Sequence, residues 1–448
     1  MGQPRTSSGI QYALAGHHSS FAPETSVIVL NYNGLEHLET CFRSLAALNY
    51  PAERLELVLV DNGSTDGSAA WMRTHFPAVR IVETGRNLGF AGGNNAGANV
   101  ARGEFVAFLN NDTRVSPDWL AELVAPFQDA PQIAATGSRI LNWDGARLDY
   151  AHSGINFYGY GYQLDHGRPV KDEIGQVRPQ LAVCGGAMAV RRELFLQWGG
   201  FDEDFFAFYE DTDLSWRFWV LGYQVLLVPR SVVYHKGHGT AGRLGGEKRR
   251  LLYERNALLT IIKNYEEENL DRVLPAALLL LLQRAWLTSG VDGERFRAGH
   301  TKPDRPPSPA PNDAYTSRYY LQRAWETLQE QGVAGLWETA RNELRWRTGG
   351  SLWPKLFRRR SRPSASGEIE VTKESLAHLV AANDVLALLP RVMEKRARIQ
   401  AARHRSDAEI LPLFHQPLQL SLFTAEYKEA QALIVKALKL DDLFGELS

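Results

Sequence analysis

From Ser26 to about Pro229 the chain alternates short apolar runs with segments of helical period, and most of the apolar runs stop on small polar residues. SVIVLNYN reads as a buried strand, and LEHLETCFRSLAAL follows with Leu35, Leu38, Phe42, Leu45 and Leu48 at helical spacing. LELVLVDNG is a second strand, DGSAAWMRTHF a short helix, VRIVET a third strand, NNAGANVARG a helix and EFVAFLNND the next strand. A βαβαβ rhythm of this kind predicts a mostly parallel sheet with helices on both faces. Right-handed crossovers put the carboxyl ends of parallel strands along one edge, where ligands of such sheets bind. The residues predicted at that edge are Asn31, Asn33, Asp61, Asn87 and Asn110 to Asp112.

Composition narrows the alternatives. At 448 residues and 44% hydrophobic, the chain can bury a large core, and two domains are the default. Lys and Arg number 50 against 51 Asp and Glu, so no global field recruits nucleic acid. Two cysteines, Cys41 and Cys184, make neither a disulfide scaffold nor a metal-type spacing. MGQPRTSSG lacks a signal pattern, and the longest apolar run, VLPAALLLLL from Val273, is about half of a membrane span. A cytoplasmic protein is the expectation.

Past Gly245 the character turns helical. The expected organisation is a tail over 1–23, an α/β domain over 24–245, a helical extension over 246–290, a Pro-rich linker over 291–314, and a helical C-terminal region over 315–448 with a basic linker near 354–368. Two readings of this half stay open. It is a packing and oligomerisation region, implying a homo-oligomer, or its Leu- and Trp-bearing faces beside Lys248–Arg250 and Arg358–Arg360 meet an anionic membrane surface.

Several motifs have a structural and a chemical reading. In RNLGFAGGNNAG, glycines 89, 92, 93 and 97 fit neither a dinucleotide fingerprint nor a phosphate-binding P-loop. They serve an ordinary loop and helix start, or let backbone approach a diphosphate. Asp61 at a strand end could accept the imide N–H of uracil or thymine, while Ser64 or Asp66 caps the next helix. In FLNNDTRVSP, Ser116 reads as the N-cap and Pro117 as the first turn of the following helix. That leaves Asp112 unexplained, and one carboxylate at a strand end suits Mg2+ or Mn2+ shared with a diphosphate. Glu210, Asp211 and Asp213 open a helix, which alone would suit the helix dipole. The aromatic flank of Phe205, Phe206, Phe208 and Tyr209 would also desolvate a carboxylate and raise its pKa, as a general base requires. His235 and His238 follow a strand, either as ordinary structural histidines or, His235 above all, as a further metal ligand.

Taken in order, SVIVLNYNG, VDNGSTDGS, RNLGFAGGNNAG, FLNNDT, CGGAMAVRRELFLQWGGFDEDFFAFYEDTDLSWR and VYHKGHG resemble the family 2 glycosyltransferases, most closely their bacterial rhamnosyltransferase-like branch. The resemblance covers about residues 24 to 240 and implies a GT-A fold, an α/β architecture with a Rossmann-like, mostly parallel sheet, plus an α-helical C-terminal region. It implies an inverting, metal-dependent transfer of a sugar, rhamnose among the candidates, from a dTDP- or UDP-linked donor to a glycan or lipid-linked acceptor in cell-surface polysaccharide synthesis. By the same resemblance, Asn31, Asn33, Asp61, Arg86, Asn87, Gly92 and Asn111 contact the donor, and Asp112 with His235 holds the divalent cation. Asp211 is the implied catalytic base, and Glu210 positions the acceptor. Asn110 stands where the family carries the first Asp of its metal motif, removing one negative charge. Two rivals stay open: a catalytically silent nucleotide-sugar-binding scaffold, and a nucleotidyltransferase, which would need a basic triphosphate loop that NYNGLEHLET does not supply.

Overall fold

The computed structural model describes residues 21–170, 175–237, 244–293 and 370–445. The expected tail apart from 21–23, the linker apart from 291–293, the basic stretch 354–368 and His238 lie outside the described residues. A ten-stranded sheet organises the first half. Its strands are β1 (Thr25–Asn31), β2 (Leu55–Asp61), β3 (Arg80–Glu83), β4 (Phe105–Asn110), β5 (Thr113–Val115), β6 (Ile133–Asn142), β7 (Leu148–Tyr150), β10 (Arg178–Pro179), β11 (Ala187–Arg191) and β12 (Gln224–His235). A hairpin of β8 (Ser153–Ile155) and β9 (Gly161–Gln163) stands apart.

The order β3-β2-β1-β4 is a parallel unit, and β12 pairs parallel with β6 over the longest register. Between these halves β11 is antiparallel to both β4 and β6, which the helix–strand alternation does not announce. Central strands covered on both faces read as continuous apolar runs rather than alternating ones, and VIV in β1 is wholly buried. Val27, Val29 and Leu59 pack with Leu38, Phe42 and Leu45 of α1 (Leu35–Ala46) and with Trp119, Leu120 and Leu123 of α4 (Trp119–Val124). Ile28 and Val60 face α3 (Gly89–Val100), where a Cβ on Gly97 would fall 2.7 and 2.8 Å from their methyls. A glycine is therefore required for this helix to lie so close to the sheet. Helix α2 (Ser68–His75) completes the parallel half, while α5 (Arg192–Gln197) and α6 (Glu210–Val220) follow β11. Ser116 does not cap α4. A turn in which Trp119 N–H donates to Ser116 O (3.0 Å) intervenes, and Asp118 takes the N-cap position without a side-chain bond.

The later helices are α7 (Gly246–Asn264), α8 (Glu267–Ser289), α9 (Lys373–Ala401), α10 (Asp407–Ile410), α11 (Ala425–Ala437) and α12 (Asp441–Phe444). Described residues up to Leu281 and from Ala377 form one compact unit; 282–293 with 370–376 form a second. Within the second, Thr372 Oγ1 donates to Thr288 O (2.6 Å). In the first, the C-terminal segment is integral to the α/β domain rather than a separate region. Ile155 N–H donates to Phe414 O (3.0 Å), His404 N–H to Val220 O (2.8 Å), and Trp216 of α6 packs edge-on to Tyr265 and Phe414. Apolar burial explains this join, since Trp216, Tyr265 and Phe414 each lose almost all contact with water. By length and composition α9 could cross a membrane, with mean hydropathy 1.4 over 18 residues.

Charges are buried at the same join. Lys263 of α7 is 1% exposed and holds Asp202 (2.6 Å) and Asp213 (2.9 Å), while Arg217 takes the other oxygen of Asp213 (2.7 Å). Lys395 of α9 reaches Asp202 (2.5 Å) and Asp204 (2.8 Å). Burial pushes the Asp202 carboxyl up, but the two ammonium groups override it and hold the group well below the usual carboxylate range. Removing one partner of a buried pair strands the other charge. Lys263→Met is expected to cost about 3 kcal/mol or more, read as a lowered urea midpoint, because two buried carboxylates lose a cation. Lys395→Met, at the partly exposed end of the network, is expected to cost about 1 kcal/mol.

Candidate active site

Register brings the polar strand ends together. Asn31 pairs with Asp61 across β1 and β2, and Leu30 with Asn110 across β1 and β4. Around this edge the side chains bond to one another. Asn31 Oδ1 accepts from Asn111 Nδ2 (2.6 Å), and Asn31 Nδ2 donates to Ser64 Oγ (3.2 Å). Ser64 Oγ also accepts from Asn33 N–H (2.9 Å), and Ser64 N–H donates to Asp61 Oδ1 (2.7 Å). Asp66 accepts from Leu35 N–H and Ser68 N–H rather than acting as the N-cap residue of α2, a position that Gly67 takes. Ser64 thus ties Asn31, Asn33 and Asp61 into one loop cluster.

The glycine loop behaves differently from a diphosphate cradle in this conformation. Leu88 N–H donates to Asn62 Oδ1 (2.9 Å), Gly89 N–H to Asn87 Oδ1 (2.8 Å), and Phe90 N–H to Phe206 O (2.6 Å). The first amides of α3 are therefore occupied by the protein, so their dipole end does not face an open ligand site. Gly92 is set by packing, since a Cβ there would meet Leu88 at 2.9 Å. Asn87 orders the loop from within, and the Arg86 side chain is exposed beside it.

Asp112 follows β4 and is 5% exposed. Antiparallel pairing of β5 with the end of β12 puts Thr113 opposite His235, and His235 Nε2 lies 3.2 Å from Asp112 Oδ2. The other ring nitrogen, Nδ1, is 2.5 Å from Asp149 Oδ2, which comes from β7. Asp149 had no signal in the sequence; it arrives through the β6–β7 pairing. Burial lowers the basicity of His235, but its bonds to two carboxylates outweigh that and raise its pKa to about 10. Burial likewise raises Asp112, and the His235 hydrogen bond and charge override it, leaving the carboxyl below its ordinary value. The two ring nitrogens point to opposite acids, so the three groups lie in line rather than converging. No three His, Cys, Asp or Glu side chains converge on a metal position among the described residues. The open side of this group borders a cleft of about 380 Å3 lined by Asn142, Trp143, Asp144 and Lys236.

Asp211 lies in the first turn of α6 and is only partly buried. Its Oδ2 accepts Gly185 N–H (2.7 Å) and its Oδ1 accepts Thr212 N–H (2.7 Å). Burial pushes its pKa up, moderated by these hydrogen bonds. Space is tight at 185 and 186: Cβ atoms there would fall 3.1 Å from Asp211 Cβ and 2.7 Å from the Asn110 side chain. Asn110 N–H donates to Gly186 O (3.0 Å), so the Gly185–Gly186 pair joins the β4 edge to Asp211. The neighbouring acids differ. Asp213 is fully buried among Arg217, Lys263 and Asn264. Glu210 is 5% exposed, and Oε2 has no hydrogen-bond partner, so its carboxyl is enclosed rather than open to an acceptor. Burial and then the Asp211 charge raise its pKa well above the usual carboxylate range. None of the three caps α6, whose N-cap residue is Tyr209 at φ 66°. The aromatic residues before it turn through φ 63° at Phe206 and 73° at Phe208. Each such non-glycine residue costs about 1 kcal/mol or more, so the surrounding structure must impose the turn.

Residues given no role by the motif reading but present in this geometry are Asn62, Gly185, Gly186 and Asp149, and Ser64, read as a candidate helix cap, instead ties the loop cluster together. The glycine pair was visible in CGGAM and carried no assignment; the others needed the fold. Residues 26–198 match the family model for glycosyl transferase family 2. N-acetylglucosaminyl-diphospho-decaprenol L-rhamnosyltransferase of Mycobacterium tuberculosis is 29% identical over 246 residues, 48% of this chain and 76% of that protein. The O-antigen biosynthesis protein RfbC of Myxococcus xanthus is 31% identical over 234 residues, 49% of this chain and 18% of that one. A solved structure of GalNAc-T7 with UDP, GalNAc and Mn2+ aligns with TM-score 0.47 at 20% identity, over 58% of this chain and 52% of its own. With the strand-edge order described above, residues 26–198 form a glycosyl transferase family 2 domain with a GT-A-type α/β fold, and the relatives support glycosyl transfer as its activity.

Proposed function

We propose that the protein transfers a sugar, with inversion, from a nucleoside-diphosphate sugar to a hydroxyl of a lipid-linked or glycan acceptor in cell-surface polysaccharide synthesis. The observation that carries this reading is the Asp211 carboxylate. It is raised in pKa, partly open, and fixed by Gly185 and Thr212 at the strand edge that also carries Asp61 and Asp112. Asp211 takes the proton of the acceptor hydroxyl as that oxygen bonds to the anomeric carbon. The bond from that carbon to the phosphate oxygen breaks with its electron pair leaving on the nucleoside diphosphate. A single displacement of this kind inverts the anomeric centre. Asp61, held by Ser64, reads the imide edge of a uracil or thymine base, and Asn31, Asn33, Arg86, Asn87 and Asn111 line the donor. Gly92 enters this set only by letting its loop pack. Similarity to a relative named as an L-rhamnosyltransferase acting on a decaprenol-linked acceptor supports rhamnose as donor sugar and a lipid-linked acceptor. The match to the glycosyl transferase family 2 model and the relatives named as transferases support transfer over a catalytically silent scaffold or a nucleotidyltransferase.

The residues fit a hard divalent cation. A buried anionic Asp112 and the Nε2 of His235 would hold Mg2+ or Mn2+, with donor phosphates completing the shell. When bound, such an ion neutralises charge on the departing diphosphate. Asp149 then acts through His235, fixing the ring by its Nδ1 so that Nε2 faces Asp112, as outer carboxylates do for metal-bound histidines. We place the enzyme in the cytoplasm at the inner membrane face. The bilayer contact is assigned to the exposed stripe Leu379, Val380, Leu386, Leu389 and Met393 on α9.

Three outcomes are expected. With the donor found by screening nucleotide-sugars, Asp211→Asn lowers kcat by about 10^3-fold, within the range for loss of a general base, while UDP or dTDP affinity changes by less than about threefold. Near-normal turnover would sink the base assignment. By calorimetry, Asp149→Asn weakens Mn2+ binding about 10- to 100-fold and Asp112→Asn abolishes it; unchanged affinity in both removes the cation site. In flotation with anionic vesicles the wild type rises with lipid and Leu386→Asp does not, and equal partition of the two rules out docking through α9.

A further inference from the structure

The helix after the sheet domain carries ERNALLTIIKNY, a segment that the transfer reaction does not account for. Four of its polar residues form two pairs eight positions apart, Arg255 with Lys263 and Asn256 with Asn264, a spacing that ends about 80° past two full turns and so stays on one broad side of the helix. All four meet the segment from Asp202 to Asp213 that contains Asp211. Lys263 holds Asp202 and Asp213, and Asn264 Nδ2 donates to Asp213 Oδ1 (3.0 Å). Two turns earlier, Asn256 is completely buried. Its Nδ2 donates to three backbone carbonyls, those of Phe205 (3.0 Å), Ala207 (2.9 Å) and Phe208 (2.7 Å). Its Oδ1 accepts from Arg255 Nε (3.0 Å), and Arg255 Nη2 reaches Phe205 O (2.9 Å), so the amide has one orientation.

Those carbonyls belong to the turn in which Phe206, Phe208 and Tyr209 all have left-handed φ. The turn has little of its own to keep it there, because none of the three is glycine. From the other side, Phe206 O accepts from Phe90 N–H, and Gly89 has no room for a Cβ against Phe206 O. The turn is thus clamped between α3 and α7, and Asp211 is the second residue beyond it.

We infer that Asn256 is a positioning residue for Asp211. By holding the carbonyls of Phe205, Ala207 and Phe208 it fixes the left-handed turn and so the approach of the Asp211 carboxylate to the acceptor hydroxyl. The inference rests on Asp211 being the base. Nothing in it asks Asn256 to touch donor, acceptor or cation. The side chain has the chemistry this role requires, because an amide supplies two N–H hydrogens to three acceptors, whereas an isosteric carboxylate would face three carbonyl oxygens with none.

The test uses the full chain with Asn256→Asp, Arg255→Gln and, in parallel, Asp211→Asn. Turnover is measured with the donor identified by the nucleotide-sugar screen, binding with UDP and dTDP, and hydrogen exchange over amides 205–212 against those of β1 and β4. Asn256→Asp is expected to lower kcat about 100-fold with donor KM and nucleotide affinity within about threefold, and to speed exchange at 205–212 while β1 and β4 stay protected. A folded Asn256→Asp enzyme with kcat within about threefold of wild type overturns the inference. If that variant does not fold, Arg255→Gln, which loosens the amide without removing it, decides: about a tenfold fall in kcat at unchanged KM supports positioning, and wild-type kcat overturns it. Full activity in Asp211→Asn instead removes the base assignment, whatever the Asn256 variants do.

Discussion

Lys263 is the cation on which the rest of the site depends. A buried ammonium is stable only with partners, and its two, Asp202 and Asp213, flank the turn that delivers Asp211. Asp202 is shared with Lys395 from α9 and Asp213 with Arg217 of α6, so one buried charge ties together segments distant in sequence. Burying this many charges is seldom a gain in stability over apolar packing. What such a network does supply is direction. A carboxylate bonded by Lys263, Asn264 and Arg217 at once has one position, and the first turn of α6 takes its orientation from it. The network also explains why the C-terminal segment belongs to the catalytic unit, since α9 carries part of the neutralising charge.

The parallel half of the sheet was legible because its cause is local. VIV and LVLV are covered by neighbouring elements, the helices between them keep a 3.6-residue period, and polar residues mark the ends where ligand-binding edges form. Asn31, Asp61 and Asp112 could be placed at that edge from the strand ends alone. The pairing of Asp112 with His235 was foreseen only as types that suit one metal; the physical link is the short β5–β12 ladder. Where local pattern was ambiguous, the reading divided. EDTD at the start of α6 holds three acids of similar appearance, yet Asp211 is partly open, Glu210 is enclosed with its pKa raised by burial, and Asp213 is buried between Arg217 and Lys263. No spacing rule separates them, because the difference lies in what packs against each.

The remaining residues were hidden for the same reason. Asp149 reaches His235 through a strand 86 positions earlier, and Asn256 reaches the turn before Asp211 from a helix some 48 to 51 positions later. The β11 insertion is hidden as well, since an antiparallel strand between two parallel groups has the same apolar composition as its neighbours. The glycine loop shows the converse error. Its composition suits a phosphate cradle, but the amides that would serve one are spent on Asn62, Asn87 and Phe206. Glycine there permits close packing of protein on protein.

That last contact joins the two halves of the site. Phe206 O accepts the Phe90 amide at the start of α3, so the loop carrying Arg86 and Asn87 and the turn leading to Asp211 meet at one atom. A shift of either loop would break a hydrogen bond of the other, because Gly89 lies too close to Phe206 for either to slide past. The neutral Asn110 fits this compact edge. Its side chain packs against Gly186, adjoining the glycine whose amide binds Asp211, so an aspartate at 110 would add a second anion close to a carboxylate already raised by burial. With an amide at 110, the anionic charge on the β4 side of the edge rests on Asp112, and His235 with Asp149 rather than a second motif aspartate surrounds it.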